Sequence, residues 1–139
     1  MSPSPAKEEL KITVCEMTTT PDIQENLDVL LKAIEASEDS EVLFFPENAL
    51  SIRVPDSPFQ SIELDGSELR QISELVFKKK IHVLLGSVPL AKPESSKLDN
   101  ATLWFKPDGE YEVAYVKSHL FDVSLADGTE ISESKDYNY

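Results

Sequence analysis

Cysteine, histidine and positive charge are scarce in this sequence. Its 139 residues include one cysteine and two histidines, and 13 lysines and arginines stand against 26 aspartates and glutamates. The single cysteine, Cys15, excludes an intrachain disulfide. With so few scattered nitrogen and sulfur ligands, a zinc site would have to be built mostly from carboxylates, which structural zinc sites seldom are, so no metal is expected. A formal net charge of -13 repels a phosphate backbone and an anionic membrane surface, and no nucleic-acid partner is expected. The one basic run, Lys78, Lys79 and Lys80, fits a solvated helix end, where cations face the negative pole of the helix dipole. No apolar run is long enough to span a bilayer or to form the core of a signal peptide. No membrane association is therefore expected, and the lone cysteine points to a reducing, cytoplasmic setting.

What the sequence does contain is a regular alternation of strand and helix signals. Hydrophobic residues make up 40% of the chain and charged residues 28%, which suits one globular domain with a buried core. The proline-punctuated opening, residues 1–9, reads as a disordered arm, and residues 10–139 read as the folded domain. "LKITVCEM" predicts a first strand with Leu10, Ile12 and Val14 on one face and Cys15 and Met17 on the other. A helix follows, with Thr20 as its cap, Pro21 at its first position, and Ile23, Leu27, Leu30, Leu31 and Ile34 on one stripe. The unbroken apolar run Val42 to Phe45 predicts a second strand buried on both faces, ended by Pro46. A second helix is predicted with Leu69, Ile72, Leu75 and Val76 inward and Asp65 or Ser67 as its cap. "IHVLLGS" predicts a third strand, and "NATLWF", "KPDGE" and "YEVAYVK" an antiparallel hairpin. The order is that of an α/β fold whose first three strands run parallel and whose sheet the hairpin makes mixed.

Ligands of open α/β sheets sit beyond the carboxyl ends of strands, and two ionisable residues fall at such ends: Glu47 and Lys117. Period-2 counting places Lys117 on the face of Tyr111, Val113 and Tyr115. Singly, Glu47 reads as a solvated loop residue, and Lys117 as a lysine laying its stem on apolar surface with its ammonium in water. Together, at the ends of neighbouring strands, they would offset each other's desolvation, as titratable pairs in active sites do. A structural ion pair in a small acidic binding domain is the competing reading.

Residues 11 to 50, including the glutamate of "FPEN", resemble the opening of the nitrilase superfamily of carbon–nitrogen hydrolases. "YVKSHLFDV" is similar to that family's lysine segment, and "ISESKDYNY" to the stretch that follows it. The resemblance implies a four-layer α-β-β-α sandwich, of which this chain is the front half: a mixed sheet with helices on one face. It implies hydrolysis of a small amide or nitrile through a glutamate, a lysine and a cysteine, with no cofactor and with homo-oligomers common. By position, Glu47 is the implied general base and Lys117 the implied oxyanion-stabilising cation. The family's nucleophilic cysteine lies beyond the lysine segment, and no cysteine follows Cys15 here. Cys15 itself reads as a small buried hydrophobe within the first strand. The chain is therefore expected to stop before the nucleophile and to be inactive alone; the alternative is a non-catalytic relative that binds a ligand or a full-length homologue. Among neighbouring residues, His119 reads as a local hydrogen-bonding group and Asn48 as a partner for Glu47. Phe121 and Asp122 are candidates to orient the lysine loop, and the resemblance implies an additional acid near the site at either Glu130 or Glu133.

Overall fold

A computed structural model describes residues 9–54 and 58–139, so the expected arm lies outside the described residues except for Glu9. Five strands form one mixed sheet in the order β1 (Ile12–Val14), β2 (Val42–Phe45), β3 (His82–Leu90), β4 (Asp99–Phe105) and β5 (Tyr111–Val116). The first three strands pair in parallel, and β3–β4 and β4–β5 pair antiparallel. Helices α1 (Ile23–Ala36) and α2 (Ser67–Lys79) form the crossovers and pack against each other on one face of the sheet. A hairpin of β6 (Asp122–Ser124) and β7 (Glu130–Ser132) follows, then a 3-10 turn at Glu133–Lys135. The sequence did carry a signal for this unpredicted hairpin, the turn pair Asp127-Gly128, with Gly128 at a φ of 87° that suits glycine.

The core lies between the sheet and the helices. Leu27, Leu30 and Ile34 of α1 and Leu69, Ile72 and Val76 of α2 are fully buried against Leu43, Val83, Leu85, Leu103 and Phe105. Burying each such side chain contributes about 1.5–3 kcal/mol before conformational entropy is subtracted. The caps differ from expectation. Asp22, not Thr20, caps α1, its carboxylate accepting from the N–H groups of Gln24 and Glu25. Gly66 occupies the N-cap of α2 without a side-chain bond, so neither Asp65 nor Ser67 serves there.

The other sheet face is open. Ile12 is 53% and Val14 72% exposed, while Cys15 and Met17 turn to the core as the alternation predicts. Phe44, on the same open face, is 37% exposed, so β2 is not buried on both faces as its unbroken apolar run suggests. An apolar run reports a face that is able to be covered, and among the described residues helices cover one face of this sheet.

Candidate active site

Two irregularities in the sheet build the site. In β3 the register against β4 shifts between Leu85 and Val88, and Gly86 sits in the shift. A Cβ on Gly86 would lie 2.5 Å from the carbonyl oxygen of Phe45, so glycine there allows the exit of β2 to pass close over β3. The chain then turns at Asn48, whose φ is 58°, and is held by two bonds to Ser87: Asn48 N–H to Oγ at 3.0 Å and Ala49 N–H to the carbonyl at 2.9 Å. The buried amide of Asn26 locks the following segment, donating to Leu50 O at 2.9 Å and Thr20 O at 2.7 Å. Glu47 is thus fixed at both flanks.

The second irregularity is a β-bulge at Ala114. Leu103 pairs with Val113 but Thr102 with Tyr115, so one residue of β5 is extra. This corrects the face assigned to Lys117. Tyr111 and Val113 share the helix-covered face with Phe105 and Leu103, whereas Tyr115 pairs with Thr102 and Lys117 bonds the backbone of Asn100 on the opposite, open face. Simple alternation cannot anticipate the inversion, because one inserted residue reverses every later side chain.

The strands carrying Glu47 and Lys117 are not neighbours, as the pairing argument supposed, since β3 and β4 lie between β2 and β5. The side chains nonetheless meet, with Lys117 Nζ 3.0 Å from Glu47 Oε1. The same ammonium lies 2.9 Å from Glu133 Oε2 and 3.1 Å from its Oε1. Glu133 is in turn held by the Phe121 N–H, 2.7 Å from Oε2. Asn100, 2% exposed, donates through Nδ2 to Glu47 Oε1 at 3.1 Å. Desolvation pushes the Lys117 ammonium down, but the hydrogen bonds it donates to Glu133 and Glu47 outweigh it and hold the group above the ordinary lysine range. A lysine with two carboxylate partners stays charged at neutral pH.

Glu47, Lys117, Asn100, Thr102, Tyr115, Gly86 and Ser87 line a depression of about 190 Å³ on the open face. Glu133 also borders a larger depression of about 520 Å³, with Arg53, Lys135, Asp136 and Tyr137 on its walls. Of the two acids left open by the sequence, Glu133 reaches the lysine, while Glu130 faces Lys135 at 4.0 Å. Asn48 contributes its backbone, and the amide that reaches Glu47 belongs to Asn100 instead. His119 bonds its neighbour Ser118 at 3.1 Å. Asp122 organises the hairpin through Ser132, Ser134 and Tyr139 rather than touching Lys117. Asn100 was missed, although an asparagine opening an apolar strand was a legible signal, since strands are depleted in it. Cys15 packs against the core, and burial pushes its thiol up, away from a thiolate. Among the described residues no three His, Cys, Asp or Glu gather as a metal site, and no helix is long and apolar enough to cross a membrane.

Comparison with known proteins places the chain in a family. The model of the carbon-nitrogen hydrolase family matches residues 11–135. The chain is similar to the chloroplastic omega-amidase of Arabidopsis thaliana, 30% identical over 96% of this chain and 38% of that protein. It is similar also to the omega-amidase NIT3 of Saccharomyces cerevisiae, 25% identical over 92% of this chain and 47% of that one. The chain therefore spans less than half the length of these curated relatives. In structure it superimposes on the NitFhit protein of C. elegans with a TM-score of 0.72 and 25% identity, over 91% of this chain and 32% of that one. By the extent of the family match and the fold it shares with these relatives, the chain belongs to the carbon-nitrogen hydrolase family.

Proposed function

We propose that this chain supplies the base and the oxyanion-stabilising cation of a site that hydrolyses a small amide. The observation that carries the reading is one ammonium, Lys117, held between two carboxylates beyond the strand ends of a family member's sheet. Glu47 takes the proton of a thiol, the thiolate attacks the amide carbon, and the carbonyl oxygen becomes an oxyanion beside Lys117. Collapse of the tetrahedral intermediate breaks the C–N bond. Glu47 returns the proton to the departing nitrogen, ammonia leaves, and a thioester remains. Water deprotonated by Glu47 then releases the acid and restores the thiol. Glu133 holds Lys117 in place throughout. Cys15 is packed against the core, so the thiol is contributed from outside these residues and the chain alone is inactive. Similarity to proteins named omega-amidases supports an amide rather than a nitrile as the substrate in this reading.

The test is a chimera in which residues 11–135 replace the matching span of the yeast omega-amidase, assayed for ammonia release from the ω-amide of a small dicarboxylic acid. Glu47→Gln and Lys117→Met should each lower kcat by about 10²–10⁴-fold, the range for a lost proton-transfer or oxyanion group. Turnover by the chimera that survives either substitution would sink the proposal. A second reading, a non-catalytic module that binds a homologous chain, is favoured by the exposed Ile12, Val14 and Phe44. It predicts a folded chimera without turnover.

A further inference from the structure

We infer that Asn100 is a positioning residue that selects which oxygen of Glu47 acts as the base. The inference rests on the reading of Glu47 as a general base and adds to it a residue from a third strand. Glu47 and Lys117 follow β2 and β5, which do not touch, and Asn100 on β4 is bonded to both. Its side-chain Nδ2 donates to Glu47 Oε1 at 3.1 Å, and its backbone carbonyl accepts the Lys117 N–H at 2.9 Å. Lys117 Nζ converges on the same Oε1 at 3.0 Å. Two donors on one carboxylate oxygen occupy its lone pairs and leave it the poorer proton acceptor. Oε2, which has no protein donor among the described residues, is the oxygen that takes the proton.

The orientation of the amide is fixed as well. Asn100 is buried, and its Oδ1 has no partner among the described residues. Turning the amide over would set that oxygen against the Glu47 carboxylate, so the donor faces the base in the only orientation that is not repulsive. A buried amide held this way is a stiff clamp, in contrast to the long Lys117 side chain, which reaches Glu47 through four methylenes.

The experiment measures the side-chain order of Glu47 by ¹³C relaxation at Cγ in the 139-residue chain, in the natural sequence, Asn100→Leu and Asn100→Asp. Leucine removes the donor; aspartate keeps its shape and replaces it with a second carboxylate. The Cγ order parameter should fall below about 0.6 in both, while the Lys117 amide stays protected from exchange. If Asn100→Leu loses its dispersed spectrum, the isosteric Asn100→Asp carries the measurement. Unchanged Glu47 order in a folded variant overturns the clamp. In the chimera, Asn100→Leu should lower kcat on the order of 100-fold with KM within about twofold. Should Glu47→Gln abolish turnover while Asn100→Leu leaves kcat intact, the positioning role falls. Should Glu47→Gln leave turnover intact, the base role falls, and relaxation still decides whether Asn100 orders Glu47.

Discussion

At the scale of single residues, Lys117 is governed by its two carboxylates. Its ammonium is held above the ordinary range, so its contribution to stability is fully present below the unfolded lysine value of about 10.4 and is lost as pH rises through the higher folded value. Glu133→Gln removes one of the two opposing charges. The Lys117 ammonium should then titrate at lower pH, which ¹⁵N spectroscopy of Nζ reads directly; an unmoved titration would show that Glu133 does not hold it. Asn100 illustrates a different economy. Its Oδ1 has no protein donor among the described residues, while its amide nitrogen holds Glu47. Glu47 and Lys117 were legible as ionisable residues after apolar strands. Asn100 was passed over and Glu133 stood level with Glu130, since which side chain reaches the pair depends on strand register.

At the scale of elements, the departures from regular pairing do the positioning. Gly86→Ala places a methyl group against the Phe45 carbonyl and Pro46, backbone atoms that can give way only by shifting the chain that leads to Glu47. It should destabilise the chain by about 1–3 kcal/mol, measured as a lower urea midpoint, and displace Glu47 from Lys117. The β6–β7 hairpin depends on Asp122, whose carboxyl is held down at about 2 by the Ser134 N–H first and then by the hydroxyls of Ser134, Ser132 and Tyr139. A depressed carboxyl stabilises above its unfolded value of about 3.9 and loses that contribution as pH falls through about 2. The Ser134 amide should therefore shift and lose exchange protection over that interval, and Asp122→Asn should remove the acid transition. Alternation and helical spacing revealed the five principal strands and both helices. They concealed the two bulges, because an extra residue leaves no mark on hydrophobicity and shows only in how partner strands align.

At the scale of the whole molecule, the sheet is covered by helices on one side and carries exposed Ile12, Val14, Phe44 and Tyr115 on the other. Net charge of -13 opposes close approach of two such chains at low ionic strength. Screening shortens the Debye length to about 8 Å at physiological salt, so self-association measured by sedimentation should rise with salt. Val14→Thr should weaken it, and association indifferent to that change would locate the contact elsewhere. The sequence by itself determined the α/β order, the parallel first strands, the core stripes and the two charged residues beyond strand ends, because each follows from local periodicity and hydrophobic burial. Only the tertiary structure decided that Lys117 stands on the open face, that Glu133 rather than Glu130 pairs with it, and that Asn100 joins β2 to β5. Those choices depend on strand register, and register is set by contacts between segments that the chain brings together only when it folds.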